Sequence, residues 1–171
     1  MPYSDPSNKD WTKEKIKELN PATVLDIGCG AGVYSDIVRE VLGKDVRIDG
    51  VEVWQPYIDQ FNLELKYDTL FNLDVRNTNN FKYDLVIFGD ILEHMSKDDA
   101  IEVWNKVAKS AKYGIISIPI IHYPQGHAHG NPYEEHIKDD WSTKEILETF
   151  QRIVEFKEFD VTGVFIAKFQ S

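Results

Sequence analysis

The 171-residue chain has a single cysteine, Cys29, so no internal disulfide framework is available and a reducing, cytoplasmic setting is expected. Long apolar runs are missing as well. Nothing approaches the roughly 20 residues that span a bilayer, so no membrane partner is expected. Positive charge is scarce: 19 Lys and Arg stand against 29 Asp and Glu, a net −10, and the basic residues form no cluster. Gripping a nucleic-acid backbone needs a basic face, so no nucleic-acid partner is expected. The opening residues, Met1 to Asp5, lack the basic and apolar regions of a signal peptide. There is no internal repeat, and the length suits one domain over residues 1–171.

What is present centres on the stretch from Val24 to Tyr34. The apolar run Val24 to Ile27 reads as a buried strand. It breaks into Gly28-Cys29-Gly30-Ala31-Gly32 and turns helix-like from Val33. Strand, glycine turn and helix make up a nucleotide-type site at the start of an α/β sheet. Glycine tolerates positive φ, so the chain can turn sharply, and it lacks a Cβ, so a ligand can approach the backbone. The following helix aims unpaired N–H groups and its positive dipole end at that ligand.

The spacing narrows the ligand. Dinucleotide loops read G-x-G-x-x-G and phosphate loops read G-x-x-x-x-G-K-[ST]; neither fits. Here G-x-G-x-G follows an acid, Asp26, which would repel a pyrophosphate and suit a cationic ligand. The run Asp26-Ile27-Gly28-Cys29-Gly30-Ala31-Gly32 resembles motif I of the class I S-adenosylmethionine-dependent methyltransferases, where D-I-G-C-G-x-G is a common form. The bland alternative is a glycine turn in another Rossmann-like fold.

The resemblance extends to about Phe169 and implies S-adenosyl-L-methionine as cofactor. It implies cofactor contacts at Asp26, Gly28, Cys29, Gly30 and Gly32. Glu52 ends a second strand (Val46 to Val53) about 20 residues past the glycines, where a ribose-binding acid is expected. A solvated strand-end charge is the plain alternative. Val53 follows and can pack on one adenine face. A helix is expected over Pro56–Leu65, then a short strand from Thr69 to Val75. There the resemblance gives Asp74 the adenine amino group and the Val75 amide a ring nitrogen.

Tyr83 to Phe88 is nearly continuous in apolar residues, as a parallel strand covered on both faces should be. It runs into Gly89-Asp90-Ile91-Leu92-Glu93-His94, similar to the family's motif IV region, so Gly89 and Asp90 are read as cofactor contacts. Glu93 and His94 then lie near the methyl-transfer end, and His94 is a candidate general base, since imidazole titrates near neutrality. A structural role beside the cofactor is the alternative for His94.

After a fifth strand from Gly114 to Ile121 the composition changes. Residues 122–136 hold four of the five histidines, with prolines and glycines. Long loops in compact domains carry function or disorder, and this one is read as a substrate lid. His122 and Tyr123 in this loop, with Glu93 from the fourth strand's end, are the candidate substrate contacts, and His136 is a second candidate catalytic group. The run from His136 through Trp141-Ser142 to Glu145 resembles a segment of many small methyltransferases in which that histidine fixes the lid to the body. The histidine spacing matches no standard zinc pattern, and no metal is expected.

Asp10 is read as the cap of a helix over Trp11–Leu19 that closes a lead-in of residues 1–21, and Ser142 to Glu145 as a capping box. Ile153–Phe159 and Val164–Phe169 read as a terminal antiparallel hairpin. The expected fold is α/β: a Rossmann-like three-layer α/β/α sandwich on a mostly parallel seven-stranded sheet with an antiparallel C-terminal hairpin strand. The implied reaction is methyl transfer to a small-molecule or sugar acceptor. A non-catalytic S-adenosylmethionine-binding or partner module and a nicotinamide-dependent oxidoreductase are the rivals. Oligomeric state stays open.

Overall fold

A computed structural model describes residues 6–170 of the chain. The part of the lead-in at residues 1–5 lies outside the described residues. In chain order the main elements are α1 (Lys9–Leu19), β1 (Thr23–Ile27), α2 (Val33–Leu42), β2 (Arg47–Val51), α3 (Gln55–Phe61) and β3 (Thr69–Phe71). Then come β4 (Leu85–Gly89), α4 (Lys97–Ala108), β5 (Tyr113–Pro119), α5 (Thr143–Thr149), β6 (Ile153–Glu158) and β7 (Thr162–Lys168).

The seven strands form one sheet in the order β3-β2-β1-β4-β5-β7-β6. β1 to β5 are mutually parallel, while β7 runs antiparallel to both β5 and β6. The terminal hairpin therefore does not simply extend the edge: β7 inserts beside β5 and leaves β6 outside.

Strand alternation divides the core. Leu25, Ile27, Val86, Phe88, Ile116 and Phe165 face the α4/α5 side, where Trp104 and Trp141 are enclosed. Val24, Leu85, Ile87, Ile115, Val164 and Ile166 face the side that buries Ile16 of α1 and Ile37 and Val38 of α2. Both faces of the central strands are covered, which is why β4 is apolar at every position.

Several boundaries differ from the sequence expectation. Asp10 lies inside the first turn of α1; Asn8 precedes the helix. The helix after Trp54 stops at Phe61, because Asn62 takes the left-handed conformation (φ 49°), and Leu65 is exposed in a separate 3-10 turn. β3 ends at Phe71, which pairs with Val51, the last residue of its only neighbour, β2. Ser142 does cap α5, accepting the Glu145 N–H at 3.2 Å. The Glu145 carboxylate does not return to the cap, however. It pairs with Lys97 (2.7 Å) and Lys138 (3.1 Å).

Candidate active site

The parallel strands all point their carboxyl ends the same way, and a cleft of about 900 Å³, counted with its open mouth, lies along that edge. Gly28, Cys29 and Gly30 form one wall, Glu52 and Val53 the next, and Asp74 and Val75 the third. Gly89, Asp90 and His94 close the side at the end of β4. Four separate stretches of sequence are thus assembled on one cleft.

The glycine turn takes its expected form. Gly28, Gly30 and Gly32 have φ of 76°, 51° and 77°, a region side chains other than glycine rarely adopt. The N–H groups of Gly28 and Cys29 both donate to the Val51 carbonyl (2.9 and 3.2 Å), which ties the turn to the end of β2. Glu52 completes the tie. Its Oε2 accepts the Gly30 N–H at 3.0 Å and its Oε1 the Trp54 N–H at 2.9 Å. Each oxygen keeps a further lone pair for a ligand hydroxyl. Burial lifts the Glu52 carboxyl above its ordinary range, with those two N–H bonds acting against it.

Asp74 lines the cleft but is engaged with its own turn. It accepts from the Arg76 backbone N–H at 2.9 Å and from the Arg76 guanidinium, which holds its carboxyl below the usual range. Asp90 sits at positive φ (53°). Its N–H donates to the Ser117 carbonyl (2.8 Å) and its Oδ1 accepts from Ser117 Oγ (2.9 Å). Asn8 Nδ2 donates to the same hydroxyl oxygen (3.1 Å) and to Thr162 Oγ1 (2.9 Å). The residue before α1 is thereby pinned to β5 and β7.

Two of the cofactor contacts expected from the motif do not reach the cleft wall. Asp26 is fully enclosed beneath the turn, where its Oδ2 accepts from Tyr67 Oη at 2.6 Å. Burial pushes its carboxyl up to about 7 against that bond. Gly32 caps α2 behind the wall.

Beyond Asp90 the chain makes a 3-10 turn over Leu92–His94 that sends Glu93 inward, 2% exposed, with Oε2 left without a hydrogen-bond partner. Burial, then the neighbouring Asp90, raise its carboxyl well above the ordinary range. The His94 ring contacts that of His136 edge-on, with centroids 4.8 Å apart. His94 Nδ1 lies 3.1 Å from the Glu135 carbonyl, and His136 Nδ1 2.6 Å from the Tyr123 carbonyl. A carbonyl only accepts, so in each ring Nδ1 carries the proton and Nε2 the lone pair. Burial lowers both imidazoles below their ordinary range. One ligand atom each from Glu93, His94 and His136 lies within 4.8 Å of the others, a set able to hold a metal ion. His136 itself stands behind His94, outside the cleft lining.

His122 and Tyr123 lie away from the cleft. His122 is exposed and 3.4 Å from Asp139, and the Tyr123 N–H donates to the Asp139 carbonyl. A different part of the 122–136 loop reaches the cleft. Asn131, Tyr133 and Glu134 line it, and Tyr133 tilts against Trp54 at 6.1 Å. Tyr34, Tyr57, Ile91, Met95 and Arg76 also line it without having been expected. Tyr34 had a local signal, since it stands in the first turn of the helix after the glycines; the lid residues had none.

Known proteins are similar to this chain in sequence and in fold. The sequence profile described as the methyltransferase domain matches residues 25–114, more than half of the chain. A ubiquinone biosynthesis O-methyltransferase of Hydrogenovibrio crunogenus is 25% identical over 105 residues, 59% of this chain and 43% of that one. The match thus spans less than half the length of that relative. A putative O-methyltransferase from Nostoc punctiforme superposes with a TM-score of 0.70 at 15% identity, over 94% of this chain and 55% of that one. The N-terminal domain of EvdMO1, crystallised with SAH bound, gives 0.69 at 11% identity, over 96% and 82%.

Proposed function

This chain belongs to the methyltransferase domain family, and we propose that it moves the methyl group of S-adenosylmethionine to a hydroxyl oxygen of a small molecule or sugar. The observation that carries the reading is the wall shared by Gly28–Gly30 and Glu52, at the carboxyl edge of β1 and β2. A carboxylate fixed by two backbone N–H groups is preset to accept from paired ribose hydroxyls. Asp74 and Val75 face the adenine end and Gly89 and Asp90 the methionine end, while Asp26 supports the turn from below. The O-methyltransferase named among the relatives supports an oxygen acceptor.

The chemistry is displacement at a sulfonium methyl. The acceptor oxygen approaches opposite sulfur, the C–O bond forms as the S–C bond breaks, and the electron pair of that bond stays on sulfur. Holding the two reactants in line supplies much of the rate. The acceptor's proton must also leave. His94 stands at the β4 end of the cleft with His136 behind it, and the free Nε2 lone pair of His94 serves that purpose.

None of the described helices is long and apolar enough to cross a membrane, and a cytoplasmic enzyme on a diffusing acceptor fits the composition. Calorimetry should show S-adenosylmethionine binding at one site, and an acceptor screen should release S-adenosylhomocysteine. No binding would overturn the reading. Tight binding with no product for any acceptor would favour the non-catalytic module.

A further inference from the structure

We propose that Glu93, His94 and His136 form a binding site for one first-row divalent cation, placed to take the acceptor hydroxyl as a further ligand. The inference rests on the methyl-transfer reading only for the cation's purpose, not for its binding.

Three observations converge. The first is geometric: a carboxylate oxygen and two imidazole nitrogens from residues up to 43 positions apart lie within 4.8 Å of one another. Two histidines and one carboxylate on one side of an ion leave its other positions open. The second is that Glu93 carries an oxygen with no hydrogen-bond partner although the residue is only 2% exposed. Such an oxygen is costly unless something positive meets it. The third is the support behind the ligands. Each imidazole presents Nε2 because its Nδ1–H is held by a backbone carbonyl, Glu135 for His94 and Tyr123 for His136. Outer bonds of this kind orient metal-binding histidines and raise their basicity. The lid is fastened to the body at the same point by Lys138 N–H to the Glu93 carbonyl, and is closed on itself by His136 N–H to the Gln125 carbonyl.

His94 also lines the cleft, so an ion on Nε2 has open positions toward it. A hydroxyl bound there is acidified by the cation. Its proton passes to water, its oxygen forms the bond to the methyl carbon, and sulfur keeps the pair from the broken S–C bond. The histidines then act as ligands, not as bases. The expectation of no metal rests on the loop's histidine spacing, the lack of cysteine ligands and a reaction that needs no metal, and it does not weigh this set, because Glu93 and His94 lie outside the histidine-rich loop.

The test uses chelator-treated, full-length protein titrated with Co²⁺, read by visible absorption and by calorimetry. One saturable equivalent is expected. Glu93→Gln and, on the more exposed lid, His136→Asn should each weaken it at least about tenfold, the scale seen even for outer-shell changes. The double variant His127→Asn/His129→Asn, in the same loop but outside the set, should bind as the parent does. Circular dichroism and S-adenosylmethionine affinity are recorded on every variant. No saturable Co²⁺ site in the parent, or undiminished binding in folded Glu93→Gln and His136→Asn, overturns the inference while leaving the methyl-transfer reading intact. Cation binding without S-adenosylmethionine binding would do the reverse.

Discussion

Glu52 Oε2 accepts the backbone N–H of Gly30 at 3.0 Å across 22 residues of sequence, joining the end of β2 to the glycine turn after β1. The bond holds the turn in its positive-φ shape and fixes the carboxylate at the cleft wall. A residue read as a ligand contact is at the same time a clamp on the loop that forms the other wall.

Glu52→Ala should therefore weaken S-adenosylmethionine binding more than loss of a single ligand contact would. Two partly buried N–H groups, those of Gly30 and Trp54, lose their acceptor, at up to about 1–3 kcal/mol for each group left unsatisfied. Glu52→Gln keeps an acceptor oxygen for one of them and should fall between. Calorimetry at one pH ranks the three proteins; an affinity for Glu52→Ala equal to the parent's would remove Glu52 from the site.

Gly30→Val tests the turn itself. At φ 51° a β-branched side chain is strained, and its methyls would project at the cleft wall. Cofactor binding should be abolished while circular dichroism shows the sheet intact. Unchanged affinity would contradict the placement of the ligand against this backbone.

The turn and Glu52 were legible because the signal is local: a strand, spaced glycines, and an acid at a set distance. Asp26 was legible as a motif member but not as a buried one. Along β1 it faces the same way as Val24, toward α2 and Tyr67, and strand alternation places it under the helix. Tyr133 and Glu134 were illegible as cleft residues, because the lid's course depends on long-range ties such as His136 to Tyr123 and Lys138 to Glu93. The 3-10 turn at Leu92–His94 was likewise hidden, and with it the inward aim of Glu93.

Asp26 should give stability a distinctive pH dependence. Its folded carboxyl titrates at about 7, raised from 3.8 by burial. Between those values the folded state holds a proton that the unfolded state has released. Unfolding free energy from this group therefore falls as pH rises from about 4 to about 7, and levels above. Asp26→Asn keeps an acceptor for Tyr67 and removes the titration. The difference between parent and Asp26→Asn in denaturant unfolding should slope across that window; parallel curves would show that Asp26 is ionised in the fold.

Gly89 and Tyr34 supply a test of how tightly the cleft's back wall is packed. A Cβ on Gly89 would come within 2.0 Å of Tyr34 Cε2, closer than any real contact. Tyr34 is 3% exposed and its hydroxyl receives a hydrogen bond from Lys9 Nζ at 2.8 Å, so the ring has little freedom to retreat. Gly89→Ala should cost about 1–3 kcal/mol, the usual range for overpacking, and should weaken cofactor binding because Tyr34 lines the cleft. Tyr34→Ala removes the obstacle at its own cost in cavity and lost contacts. In that background Gly89→Ala should be close to neutral in stability, since β4 at Gly89 has ordinary strand geometry and needs glycine only for the ring's approach. A double-mutant cycle measures this coupling directly. If Gly89→Ala costs the same with and without the Tyr34 ring, the glycine is there for some other reason than the approach of that ring.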